Sequence, residues 1–221
     1  MFRLSTICFA IILAACSDTS THDLSPQVAS EARTFVFYCQ DQQSFVARIE
    51  SGSVWLFLPK ETLRLSSVVA ASGAKFSDGV STFWSKGGAA SQEAMLEYGG
   101  QRYTGCKNDA RAAVWEHAKL NGVDFRAVGN EPGWYLEISN RHDIILVSDY
   151  GESRYEFNDV SISTFPEEHK TVYSAVTDVG PVDVTLVAEA CQDTMVDVQY
   201  ETRVTVTMSG TVLNGCGKAL H

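Results

Sequence analysis

Residues 72–90 read S-G-A-K-F-S-D-G-V-S-T-F-W-S-K-G-G-A-A. Ser72-Gly73 opens a turn, Asp78-Gly79 makes a tight reversal, and residues 80–84 run extended before Ser85-Lys86-Gly87-Gly88 turns the chain again. Gly and Asp-Gly at such places punctuate short antiparallel strands. Lys86, at a glycine-flanked tip, is expected to stand out into solvent, because no bulky neighbour offers its stem a surface. Ser72 lies in the loop one strand away, so its hydroxyl and the Lys86 ammonium are expected side by side at one rim. Two polar groups so placed suit insertion into a cleft of another molecule.

Short extended segments surround this stretch. They fall at 34–38, 44–49, 54–58, 62–66, 75–77, 80–84, 90–97 and 101–104. Many short strands with no long helical period predict a small antiparallel barrel or sandwich over residues 33–108. Phe37, Trp55, Phe57, Phe76, Phe83, Trp84 and Tyr103 are the expected core aromatics, since such side chains are mostly buried.

Tyr38-Cys39 near the start, S-G-A-K-F at 72–76, F-W-S-K-G at 83–87, Ala90, and Tyr103 with Cys106 follow one another in order. In these residues the segment resembles the MliC/PliC family, membrane-bound or periplasmic inhibitors of c-type lysozyme. The resemblance covers essentially all of 33–108. It implies an eight-stranded antiparallel barrel clasped by a disulfide. It also implies a motif serine and lysine that enter the cleft of the partner lysozyme, which here are Ser72 and Lys86. Around that pair, Gly73, Ala74, Lys75, Phe76, Asp78, Trp84, Ser85, Gly87 and Ala90 are the expected supporting residues. Phe76 stands where a tyrosine is usual, so a contact through that hydroxyl is absent here.

The chain opens Met1-Phe2-Arg3, continues with a short apolar run at 4–13, and reaches Leu13-Ala14-Ala15-Cys16. This resembles the lipobox of bacterial lipoproteins, whose cysteine becomes the lipid-modified first residue after cleavage. The run is too short to span a bilayer, and small residues before the cysteine suit signal cleavage. An ordinary secretory signal with a chance cysteine is the rival reading. The expectation is a signal peptide at 1–16 and a palmitate-bearing lipid anchor at Cys16. Ser17 after it then implies the periplasmic face of the outer membrane. Residues 17–32 are polar without periodicity and read as a flexible tether.

Beyond the barrel, Asn108-Asp109 is placed to cap a short helix through residues 110–120, ended by Asn121-Gly122, with Val114, Trp115, Ala118 and Leu120 on its apolar side. It reads as a connector at 109–122. Residues 123–221 are extended again, at 124–128, 134–139, 143–148, 153–157, 160–164, 171–176, 182–188, 202–208 and 211–213. Val204, Val206 and Met208 alternate with Thr205 and Thr207, the period of a half-buried strand. The expected fold is therefore all-β: the small barrel, then a second mostly antiparallel β domain, joined by a short helix. This second half resembles an uncharacterised domain of envelope lipoproteins in G-N-E-P-G-W at 129–134, C-x-D-x-M at 191–195 and G-C-G-x-A-L at 215–220. Val196-Asp197 replaces the serine-glycine usual after that methionine, and the resemblance implies no activity.

Cys8 leaves with the signal and Cys16 takes lipid, so Cys39, Cys106, Cys191 and Cys216 remain. Four thiols in an exported chain suggest two disulfides. Three pairings are open, and the division into domains selects Cys39–Cys106 and Cys191–Cys216. On the chain-entropy account these contribute roughly 4 and 3 kcal/mol. A zinc site lacks a C-x-x-C pair or a histidine cluster. Glu131, Asp193, His142 and His169 have no paired catalytic spacing, and no phosphate loop, H-E-x-x-H or G-x-S-x-G occurs. No enzyme activity, metal or cofactor is expected.

Charge divides unevenly. Residues 109–221 carry 8 Lys and Arg against 18 Asp and Glu, a net −10, whereas residues 33–108 carry 8 against 6, a net +2. So acidic a chain is a poor nucleic-acid binder, and its acidic half would attract a cationic lysozyme. An exposed strand edge offers a route to a homodimer. Two readings of function follow. One is a lysozyme inhibitor; the other is an envelope binding module that uses the second half.

Overall fold

The structure is a computed structural model describing residues 32–40, 42–87, 92–177 and 180–221. The lipobox with Cys16, the tether up to residue 31, and Gly88 and Ala90 of the rim stretch lie outside the described residues. The first eight strands are β1 (Arg33–Tyr38), β2 (Ser44–Glu50), β3 (Ser53–Phe57), β4 (Thr62–Val68), β5 (Ala74–Ser77), β6 (Thr82–Lys86), β7 (Glu93–Tyr98) and β8 (Gln101–Asn108). Each pairs antiparallel with the next, and β8 returns to β1 through Phe37↔Asn108 and Tyr38↔Lys107, closing a barrel. Closure gives each barrel strand a neighbour on both sides.

Alternation along each strand fills the inside. Phe37, Leu56, Leu65, Phe83 and Leu96 are fully enclosed, each burial stabilising by about 1.5–3 kcal/mol. Of the aromatics expected in the core, Phe37, Phe76 and Phe83 are buried. Trp55, Phe57, Trp84 and Tyr103 are only partly buried. The reason for the tryptophans is the two-residue period: Val54 and Leu56 face in, so Trp55 faces out, and Phe83 sends Trp84 out likewise. The predicted extended run at 80–84 also needs correction. Val80 is 89% exposed in the reversal, and β6 begins at Thr82 and includes Ser85 and Lys86.

Helix α1 (Ala110–Leu120) starts at Asp109, whose Oδ1 accepts from the N–H groups of Arg111 and Ala112 at 2.9 Å. Its buried residues are Ala113 and Ala118, and Val114, expected inside, is 47% exposed. Small side chains let the helix approach closely. It packs on β1, where the Thr34 hydroxyl meets His117 Nδ1 at 3.1 Å, and its C-cap Asn121 accepts from Arg48 of β2 at 2.9 Å. On the other side Trp115 stacks on Tyr200 with centroids 5.2 Å apart, and Ala118 packs with Val123 and Leu220.

The remaining strands are β9 (Val123–Asn130), β10 (Gly133–Ser139), β11 (Asp143–Ser148), β12 (Ser153–Phe157), β13 (Ser161–Phe165), β14 (Lys170–Thr177), β15 (Gly180–Val187), β16 (Cys191–Asp193), β17 (Val198–Tyr200), β18 (Thr202–Met208) and β19 (Thr211–Ala219). Nine of them form one sheet in the order β12-β11-β10-β9-β19-β18-β15-β14-β13. Every pairing is antiparallel, so direction alternates and the end strands β12 and β13 point the same way. Only residues 158–160 separate them, too few at ~3.5 Å each to run back along a strand. β13 therefore continues the course of β12, and the sheet curls until one interrupted strand supplies both its edges. The interior holds Trp134, Leu136, Ile138, Ile144, Leu146, Val182, Val184, Val204 and Val206. Val204 and Val206 face in as their alternation predicts, with Met208 packed against them.

The hairpin β16–β17 is unforeseen in the sequence, because three-residue strands carry no period. It is tied to β19 by the Cys191–Cys216 disulfide, and Cys39–Cys106 joins the two ends of the barrel sheet, the expected pairings. Replacing Asp109 by alanine is expected to cost about 1 kcal/mol, the worth of a helix N-cap. Denaturant unfolding of Asp109→Ala and Asp109→Asn checks this, with the asparagine variant near the parent.

Candidate functional site

The rim stretch folds as the hairpin β5–β6, with Ala74↔Ser85, Lys75↔Trp84, Phe76↔Phe83 and Ser77↔Thr82 in register. Its open end carries Ser72 and Gly73 on one side and Lys86 and Gly87 on the other. The register therefore brings the predicted serine and lysine to the same end of the barrel, both exposed.

Trp84 holds this end together. Its indole Nε1 donates to the Ser72 carbonyl at 2.9 Å, fastening the loop to the outer wall. The Lys86 Nζ lies 5.4 Å from the ring centroid and the Lys75 Nζ 6.0 Å, both within cation–π range. The expectation that Lys86 has no surface for its stem is thus overturned. Lys86 and Trp84 are two residues apart on one strand, so they share a face, and the ring lies beside the ammonium. Among the described residues no carboxylate pairs with Lys86, although Glu93 is its register partner on β7. The result is two cations flanking one aromatic ring beside an exposed serine.

The supporting residues separate into three places. Gly73 is at the rim with φ +68, and a Cβ there would overlap the Ser85 carbonyl and come 3.3 Å from Trp84 Nε1. Ser85, expected in the turn, is instead 1% exposed inside β6. Phe76 is buried against Phe83 with ring centroids 6.1 Å apart, so the position where a tyrosine is usual points into the core. Asp78 sits at the opposite end of the hairpin, about 13 Å away along a four-residue strand. Its Oδ1 accepts from Ser81 N–H at 2.6 Å and Val80 N–H at 2.9 Å. These two bonds, Ser81's first, hold its carboxyl below the ordinary 3.8. Asp78 thus builds the reversal and takes no part in the rim; Ala90 lies outside the described residues.

The motifs of the second half also converge. Asn130 of the G-N-E-P-G-W stretch donates to Asp193 Oδ1 at 2.8 Å, and Met195 N–H donates to the same oxygen at 3.0 Å. Asp193 thus caps the turn at Met195, and His142 and His169 lie in separate turns. Trp134 lies over the glycines of β9 and β19, and a Cβ at Gly215 would come within 2.6 Å of its ring.

The fold and this end define a class: a small closed antiparallel barrel, disulfide-clasped, presenting a serine and two lysines on one rim. Residues 37–105 match the model of the family described as membrane-bound lysozyme-inhibitor of c-type lysozyme, a span running from β1 into β8. No curated protein and no solved structure matches the chain.

Two outcomes are expected. Gly73→Ala puts a side chain where φ is positive and the Ser85 carbonyl already lies, so it should lose about 1–3 kcal/mol in denaturant unfolding. For Asp78 the folded carboxyl is depressed, so its stabilisation is present above the ordinary value of 3.8 and is lost as pH falls through the lower folded value. Unfolding midpoints of Asp78→Asn should accordingly fall less between pH 7 and pH 3 than those of the parent.

Proposed function

We propose that this chain inhibits c-type lysozyme by placing Ser72 and Lys86 in the enzyme's active-site cleft. The family match over the barrel carries the proposal. The rim geometry supports it, because Lys86 has no carboxylate partner among the described residues and Trp84 fixes the Ser72 loop beside it.

Such an enzyme cleaves glycan with two carboxyl groups, an acid of raised pKa and an ionised partner. An ammonium set between them forms charge-assisted hydrogen bonds. It also favours the ionised form of the acid, which must be protonated to work. Ser72 can donate to a carboxylate and accept from a backbone amide. Inhibition then combines occlusion with electrostatic disabling, and no bond is broken, so the chain acts as an inhibitor and not as an enzyme. The Trp84 face restricts where the Lys86 ammonium can go, which lowers the entropy lost on insertion.

In the same reading the chain is a lipoprotein anchored at Cys16 to the periplasmic face of the outer membrane, with 17–32 as tether. Residues 33–108 are the inhibitor domain, 109–122 the helical linker and 123–221 an acidic domain. That acidic part speeds encounter with a cationic lysozyme, an effect that falls as salt screens it.

Lysis of bacterial cell walls by a c-type lysozyme tests the proposal. The purified chain should inhibit, and Lys86→Ala should weaken inhibition at least tenfold, about 1.4 kcal/mol. If neither protein inhibits, with both folded and oxidised, the insertion reading is wrong.

A further inference from the structure

A cavity of about 560 Å³ lies between helix α1 and the side chains that β9, β10, β11 and β12 turn away from the core of the second sheet. That volume suits a small molecule. None of its lining residues belongs to the barrel rim.

Arg126 lines this cavity and is itself only 7% exposed. Its Nη1 is paired with Glu137, and the rings of Tyr135 and Trp115 lie against the guanidinium. Its Nε is different. That atom is buried and has no hydrogen-bond partner among the described residues. A buried N–H of a charged group without an acceptor is costly, and a charge-assisted hydrogen bond offsets that cost.

The rest of the lining favours a negative guest. Arg154 of β12 brings a second guanidinium, paired with the exposed Glu156. The one carboxylate among the described lining residues, Glu137, is already taken by Arg126. The cavity is thus cationic within a half of the chain whose net charge is −10. Its hydrocarbon comes from Val114, Val123 and Ile145. Val114 stands 47% exposed on the helix where it walls this space.

From the buried Arg126 Nε without an acceptor, the second guanidinium of Arg154 and this apolar wall, we infer that the cavity binds an organic oxyanion. The guest is a carboxylate or phosphate carried on an apolar body. A guanidinium presents its donors as a planar fork that such a group matches, and the body lies against the valine and isoleucine side chains. The site is separate from the lysozyme reading and does not depend on it.

The test is titration of the ¹⁵N-labelled full chain with benzoate and with phenyl phosphate at constant ionic strength. Benzyl alcohol is the uncharged control and sodium chloride the inorganic one. The Arg126 Nε–H resonance and the amides of residues 114–121 and 135–139 should shift saturably with at least one organic anion. Neither control should move them. Arg154→Gln, on the exposed side, should weaken binding about tenfold, as loss of a charged hydrogen bond requires. Arg126→Lys keeps the charge but lacks Nε, and should weaken it further. If that variant does not fold, Arg154→Gln and the Nε–H resonance decide. Tighter binding of benzoate assigns the site to carboxylates, and tighter binding of phenyl phosphate assigns it to phosphate esters. An Arg126 Nε–H resonance that neither anion moves, equal shifts with either control, or unchanged affinity in Arg154→Gln overturns the inference.

Discussion

Consecutive side chains of a strand leave opposite faces, and β6 shows how much of this protein hangs on that constraint. Phe83 and Ser85 point inward, the first into the aromatic centre of the barrel, the second into a buried position between β5 and β7. Trp84 and Lys86 must then point out. The same register that fills the core therefore lays an aromatic ring beside a lysine on the outer wall, with Lys75 opposite on β5. A one-residue slip would exchange the two sets, burying the charge and exposing the phenylalanine. Core and rim are thus one arrangement.

The helix between the two sheets is held by a different kind of contact. Its barrel side is polar, through Thr34 with His117 and Arg48 with Asn121. Its other side is aromatic and cationic. Arg126 is 7% exposed, paired to Glu137, 4.4 Å from the Tyr135 ring centroid and 5.9 Å from that of Trp115. A buried guanidinium needs both a carboxylate and rings to lie against, and β9, β10 and α1 together supply them. Deleting any one of these elements would leave that charge without its full set of partners.

In the second sheet the glycine-rich motifs make room for a large side chain. Trp134 packs where Cβ atoms at Gly129 and Gly215 would otherwise lie. The aspartate of C-x-D-x-M is held by the asparagine of G-N-E-P-G-W, so motifs about sixty residues apart in sequence are one unit in space.

Much was legible in the sequence. Turn chemistry and period-two alternation located all eight barrel strands, nine strands of the second half and the helix with its Asp109 cap, because these depend on neighbours within a few residues. The turn residues at Ser72-Gly73 and from Ser85 to Gly88 placed Ser72 and Lys86 at one end of the barrel. Local pattern could not say that Trp84 faces outward beneath Lys86, that Asp78 belongs to the far end, or that β19 runs on through Gly215 and Gly217. Nor could it find a three-residue strand at Cys191 or the interrupted strand that curls the second sheet. Those features are set by register and close approach between distant segments. Only when the chain is folded does an oxygen, a ring or a backbone carbonyl occupy the space that gives each of these residues its role.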